Sequence, residues 1–127
     1  MPHVIVEYTD NLSDALQIKS LLKKINEVLI SYNPILPTGG IRSRAIQLHD
    51  YEIADGKEDD AFIHATLKLG GGRDKESLDT ICQALFDVIT SHTANLFDTR
   101  YLAVSLELYE FSHPTYKKNN IHQRFRS

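Results

Sequence analysis

The chain has 127 residues, 42% hydrophobic and 24% charged, with a formal net charge of −3. That length suits one domain, 1–127, which buries about two-thirds of its unfolded surface on folding. The charge balance argues against general nucleic-acid binding, no apolar run is long enough for a membrane span or signal peptide, and the lone Cys82 excludes an internal disulfide, so a cytoplasmic protein is expected.

Met1-Pro2 opens the chain, and the small residue after Met1 favours removal of the initiator methionine. Proline at a chain start offers a secondary amine as a base; with Met1 retained, its nitrogen is an amide and cannot be one. His3 to Tyr8 alternates with a period of two: Val4, Val6 and Tyr8 point one way, His3, Ile5 and Glu7 the other. Asp10-Asn11 with Ser13 supplies turn and cap chemistry. Ile18, Leu21, Leu22, Ile25, Val28 and Leu29 then mark one face of a helix over roughly 14–31. Asn33-Pro34 and Pro37-Thr38-Gly39-Gly40 break the chain, a strand follows over about 41–51, and 54–60 is an acidic loop.

The order then repeats. Residues 61–69 read as a strand, Gly70-Gly71-Gly72 as a sharp connection and Asp74 as the N-cap of a second helix. That helix carries the stripe Leu78, Ile81, Cys82, Leu85, Val88, Ile89, His92 and Leu96, and Tyr101 to Glu110 is a fourth strand. The tail, 112–127, is polar, basic and irregular. The halves, about 2–58 and 61–111, align with an arginine at the strand entrance (Arg42, Arg100) and Ala-β-branched-polar-Leu inside. The expected fold is α+β: a duplicated β-α-β unit, with parallel strands in each unit, giving a four-stranded sheet with two helices on one face. Both later strands, 61–69 and Tyr101 to Tyr109, have apolar residues on both faces. The uncovered face therefore calls for burial in a homo-oligomer, against the alternative of a long loop covering it in a monomer.

Several segments carry a resemblance. Pro2-His3-Val4-Ile5-Val6-Glu7-Tyr8-Thr9-Asp10-Asn11, Gly40-Ile41-Arg42-Ser43-Arg44, Ala54-Asp55-Gly56, Leu67 to Arg73 through the three glycines, His113-Pro114-Thr115 and Lys118-Asn119-Asn120 occur in order along nearly the whole chain. Together they resemble 5-carboxymethyl-2-hydroxymuconate isomerase, a family of the tautomerase superfamily. The resemblance implies a homotrimer of fused β-α-β units and a catalytic amino-terminal proline, Pro2. Ala61 stands where the second half would place a proline, so one proline site per chain is implied. It implies no cofactor and a small acidic enol as substrate, the dienol of a tricarboxylic muconate derivative, which becomes its conjugated ketone. Alternatives are a tautomerase for another 2-hydroxydienoate or an arylpyruvate enol, or a non-catalytic oligomer binding an acidic ligand.

Such a base works best with a pKa near the working pH. A free secondary amine is too basic; burial and nearby positive charge lower it. Arginines supply that charge and pair bidentately with carboxylates. Arg42 and Arg73 match family arginine positions: Arg42 to hold a carboxylate and polarise the 2-oxo group, Arg73 to clamp the far carboxylate, within one chain or across a subunit boundary. Arg44, two residues beyond Arg42, shares its face in a regular strand and stands third.

Other features read more plainly. The triple glycine with Arg73 lacks the Walker spacing and its Lys-Ser/Thr, and the six histidines show no His-x-x-x-His spacing, so no metal site is expected. His3 is a candidate for substrate contact or for a strand-edge hydrogen bond, His64 reads as structural, and His49-Asp50 mimics a base–orienter pair without a nucleophile. Cys82 reads as core, Lys117 and Lys118 as a solvated tail face, and Phe62 or Tyr51 as a pocket wall.

Overall fold

The structure is a computed structural model and describes residues 1–126. Its elements run β1 (His3–Thr9), α1 (Ile18–Ile30), β2 (Arg42–Leu48), β3 (Ala61–Gly70), α2 (Lys75–His92), α3 (Ala94–Thr99) and β4 (Leu102–Phe111). The strands form one mixed sheet in the order β2-β1-β3-β4. β1 pairs parallel with β2 and β3 with β4, while β1 and β3 are antiparallel neighbours. The two β-α-β units therefore join through their first strands. Parallel neighbours need a crossover, and α1 and α2 provide one each.

The period-two pattern of β1 decides its faces. Val4, Val6 and Tyr8 are buried, whereas His3, Ile5 and Glu7 lie half-buried on the other side. Ala61, Ile63, Ala65, Leu67 and Leu69 of β3 continue the inner face. Leu21, Ile25 and Leu29 of α1 and Leu78, Ile81, Leu85 and Ile89 of α2 pack onto it in one core. Each such side chain, fully buried, contributes about 1.5–3 kcal/mol before entropic costs. Asp74 caps α2 as expected, its carboxylate accepting from Ser77 N at 3.0 Å and from Ser77 Oγ at 2.8 Å. Gly72, at φ +111°, turns the chain into this helix in a conformation that L side chains rarely adopt.

Four features depart from the expected elements. The first helix begins at Ile18, not near residue 14: Asp10–Leu16 is a kinked 3-10 segment, and Gln17 is left-handed at φ 51°. A left-handed residue stops the right-handed helix from extending backwards. Ser13 lies inside the kink at φ 45° and caps nothing. The second helix breaks at Thr93, whose hydroxyl donates to Ile89 O at 2.8 Å, so α2 and α3 are separate. β2 ends at Leu48, before Tyr51. Finally, the outward side of β3 is mainly polar, because Phe62 is followed there by His64, Thr66 and Lys68.

The tail returns to the body. Residues Ile121–Phe125 form a 3-10 turn against the short turn Thr38–Gly40. Gly39 makes this possible: a Cβ there would sit 2.6 Å from His122 Nδ1 and 2.8 Å from His122 Cα.

Candidate active site

The site forms where the chain start, the entrance of β2, the triple-glycine turn and the tail meet. Pro2 is buried immediately before β1, and its carbonyl accepts a hydrogen bond from Arg42 N at 3.2 Å. Parallel pairing of His3 with Arg42 continues this register, so the first residue of β2 fixes the first residues of β1. Met1 lies over Gly40, where a Cβ would approach its Cγ to 3.2 Å. Its thioether takes contacts of 3.6 Å from both Arg42 Nη2 and Asn119 Nδ2.

The terminal amine is held below its ordinary value of 8.0, first by burial and then by the positive charges of Lys117, Arg73 and Arg42. Two of the three predicted arginines thus act on the amine, both from its own chain. Arg73 is anchored by backbone carbonyls: its Nε donates to Ile35 O at 3.2 Å and its Nη1 to Gly70 O at 3.1 Å. Those bonds leave Nη2 available. The third, Arg44, is exposed, and its Nη1 donates to His3 Nδ1 at 3.1 Å. Guanidinium can only donate, so His3 accepts at Nδ1 and carries its proton on Nε2. Burial first, and then Arg44, Arg42, the terminal amine and Lys68, hold His3 below its usual value.

Lys117 was expected to be solvated tail charge. It is exposed, yet its charge reaches the terminal amine. Asn119 is half-buried and anchored, its Nδ2 donating to Gly39 O at 2.9 Å and its Oδ1 accepting from Ile121 N at 2.8 Å. Neither residue stood out as part of the site. Lys118-Asn119-Asn120 was a segment of the resemblance, but an irregular tail has no periodicity to say where it docks.

Other candidates lie elsewhere. Tyr51 and Phe62 meet edge-on, with ring centroids 6.4 Å apart, and Tyr51 OH donates to Asp10 Oδ1 at 2.9 Å. They sit at the far end of β1 from Pro2, because antiparallel pairing sets the start of β3 beside the end of β1; in their own chain they do not wall the amine site. His49 pairs with Asp10 at 2.9 Å rather than with Asp50. His64 bridges Ser105 Oγ at 2.7 Å and Glu107 Oε1 at 2.9 Å on the outer sheet face. His92 Nε2 donates to Leu16 O at 2.7 Å, leaving Nδ1 to accept from Lys24 Nζ at 3.0 Å. Cys82 packs half-buried against the core, and burial pushes its thiol up, away from reactivity. Among the described residues there is no group of three or more His, Cys, Asp or Glu placed to hold a metal, and no helix long and apolar enough to cross a membrane. The groove between α1 and α2, lined by Lys24, Glu27, Val28, Asp87, Val88, Ser91 and His92, contains none of the residues around the amine.

The second unit lacks a matching site. Ala61 is buried inside the chain where the first unit has Pro2. Arg100, the counterpart of Arg42, is occupied by Asn11 O at 3.0 Å, Asp59 O at 2.9 Å and Asp59 Oδ2 at 3.3 Å.

Comparison with known proteins places the chain in a family. The family model for 5-carboxymethyl-2-hydroxymuconate isomerase matches residues 2–125. The 5-carboxymethyl-2-hydroxymuconate Delta-isomerase of Escherichia coli is 41% identical over 128 residues, covering 99% of this chain and 100% of that one. The crystal structure of a 5-carboxymethyl-2-hydroxymuconate isomerase from Deinococcus radiodurans R1 superposes with a TM-score of 0.94 at 48% identity, over 99% of this chain and 95% of that one. The Q0 fused 4-OT wild type symmetric trimer shares the fold alone, with a TM-score of 0.68 at 17% identity, over 93% of this chain and 92% of that one. On a match of this length and identity, the chain belongs to the 5-carboxymethyl-2-hydroxymuconate isomerase family and is an isomerase.

Proposed function

We propose that this isomerase converts the dienol 5-carboxymethyl-2-hydroxymuconate to its conjugated ketone, with Pro2, freed by loss of Met1, carrying the proton. The observation that carries the reading is the setting of the chain start: Pro2 buried at the end of a core strand, beside an amine that burial, Lys117, Arg73 and Arg42 keep below its ordinary value. With Met1 gone, the proline nitrogen becomes the terminal amine, one residue (about 3.8 Å between Cα atoms) further in. Burial and cationic neighbours then favour its neutral, basic form.

Neutral Pro2 takes the proton of the 2-hydroxyl. The oxygen electrons form the C2 carbonyl, the double bonds shift along the chain, and the Pro2 ammonium delivers the proton to C5. Atoms and electrons balance within one molecule, so the chemistry calls for no cofactor. In this reading Arg42 holds the carboxylate next to the reacting carbons and stabilises charge growing on the 2-oxygen. Arg73, fixed by two carbonyls, holds a distant carboxylate through its free nitrogen. Arg44 acts through His3, fixing its tautomer. The implied setting is catabolism of hydroxylated phenylacetates in the cytoplasm, by a homotrimer with the outward sheet faces inside.

The test is the ultraviolet-monitored ketonisation rate of that dienol, using protein shown by mass to lack Met1. Pro2→Ala lowers kcat/KM by about 10²-fold or more, the usual scale of general acid–base catalysis. Protein retaining Met1 is impaired to the same degree, because its Pro2 nitrogen is an amide. An unchanged rate in Pro2→Ala removes proline as the base. No turnover above the spontaneous rate moves the activity to another 2-hydroxydienoate or to an arylpyruvate enol.

A further inference from the structure

The tail contributes side chains to this site from a segment with no regular structure before its final 3-10 turn. Met1 shows where those side chains point. Its sulfur is a weak acceptor, and Arg42 Nη2 and Asn119 Nδ2 converge on it at 3.6 Å each. The thioether thus stands where an acceptor group of a ligand would sit once Met1 is removed, and one donor of that pair belongs to the tail. Asn119 is built into place rather than loosely draped: Gly39 O, Ile121 N and the glycine contact with His122 fix it. Lys117 precedes this anchor by two residues and is exposed, and its charge reaches the terminal amine.

We propose that Lys117 and Asn119 complete the substrate site, Asn119 donating beside Arg42 to one carboxylate and Lys117 supplying the third cation of a tricarboxylate cradle, so that the tail selects substrates with three carboxylates over those with two. The proposal rests on the isomerase reading above and deepens it. Arg42, Arg73 and Lys117 are the cations acting on the terminal amine, and the proposed dienol carries a carboxylate for each. Charge matching of this kind separates two ligands by the group that one of them lacks. Lys117, exposed on the tail, takes the carboxymethyl branch, and the two arginines take the main-chain carboxylates.

The test uses binding, so that it is independent of turnover. Protein lacking Met1 is titrated with pentane-1,2,5-tricarboxylate, the saturated skeleton of the branched substrate, and with hexanedioate, which lacks the branch. Wild-type protein binds the tricarboxylate more tightly. Lys117→Ala weakens it about five- to tenfold and changes hexanedioate less than about twofold, and Lys117→Arg restores the difference. Asn119→Ala weakens both, since its partner Arg42 serves both. Equal affinities in wild-type protein, or an equal or absent loss in Lys117→Ala, overturn the proposal. A preference that depends on Lys117 in protein that fails to ketonise the dienol leaves the tail subsite standing and removes only the proposed reaction.

Discussion

At the residue scale, the proposed chemistry of this site depends on how its cations are held. An arginine on a flexible stem loses entropy on binding an anion. Arg73 has its Nε and Nη1 already bonded to Ile35 O and Gly70 O, so its remaining nitrogen is preorganised. Lysine has no fork to reproduce both anchors. Arg73→Lys therefore recovers little of what Arg73→Ala loses: steady-state assays of both variants return kcat/KM at least about tenfold below wild type, and full rescue by lysine shows that charge alone suffices. The amine supplies a second prediction. In the Met1-bearing chain the terminal amine lies below its ordinary value of 8.0 because of burial and then Lys117, Arg73 and Arg42, and in the proposed active form the Pro2 amine, one residue further in, is lowered by the same causes. In the proposed reaction the neutral Pro2 amine is the base, so kcat/KM rises with pH through the pKa of that amine and levels off above it. Removing the Arg73 charge raises the amine pKa, and the rising limb of the Arg73→Ala profile moves to higher pH. A limb at the same pH in both proteins assigns the titration to another group. His3, with its Nδ1 accepting from Arg44, is likewise held below its usual value, first by burial and then by Arg44 and Arg42.

At the scale of elements, the contacts that build the site differ in how far a sequence reveals them. Alternation set Val4, Val6 and Tyr8 on one face, which the structure buries, and side-chain logic placed Asp74 at the cap of α2, because both depend on neighbours a few residues away. The start of α1 was misread for the opposite reason: Ser13 looks like a cap, but the chain bends twice before Ile18, at Ser13 and Gln17. The docking of the tail is more distant still. Gly39 reads as part of a turn, yet it is needed for close approach, since any Cβ would meet the backbone of His122 at 2.8 and 2.9 Å. Backbone cannot swing away as a side-chain tip does. Gly39→Ala therefore lifts the turn Ile121–Phe125 and releases Asn119 from Gly39 O. Faster amide exchange at Ile121 and faster proteolysis between residues 113 and 126 report this, with the core unaffected; an unchanged exchange rate there shows the tail to be held by other contacts. Asp74→Ala, by contrast, costs about 0.5–2 kcal/mol of global stability in denaturant melts, the typical loss of an N-cap.

At the scale of the molecule, one sheet face is covered and the other is not. α1 and α2 lie against the first, over Val4, Val6, Ile63 and Leu67. The second presents Ile5, Ile46 and Tyr109 among Glu7, Arg44, Lys68 and Glu107, with Ile46 47% and Tyr109 54% exposed. Its charges are of both signs: Lys68 lies over the Tyr109 ring at 5.6 Å, and Glu107 pairs with His64. A uniform charge would keep copies apart, whereas this mixture around apolar centres suits contact with a second copy of itself. The polar outer side of β3 also explains why no single strand shows the face as an interface; the apolar centres come from three different strands, β1, β2 and β4. In the proposed trimer this face is interior, and substituting its centres separates the subunits. Ile46→Glu together with Tyr109→Glu adds buried negative charge beside Glu7 and Glu107, with no new cation to pair with it. Sedimentation velocity then gives the double variant the mass of one 14.4-kDa chain and wild type three times that mass. Because both positions point away from the helices, circular dichroism of the variant keeps its native helix signal. A wild-type protein that sediments as a single chain removes the trimer, and with it the need for this face to be buried.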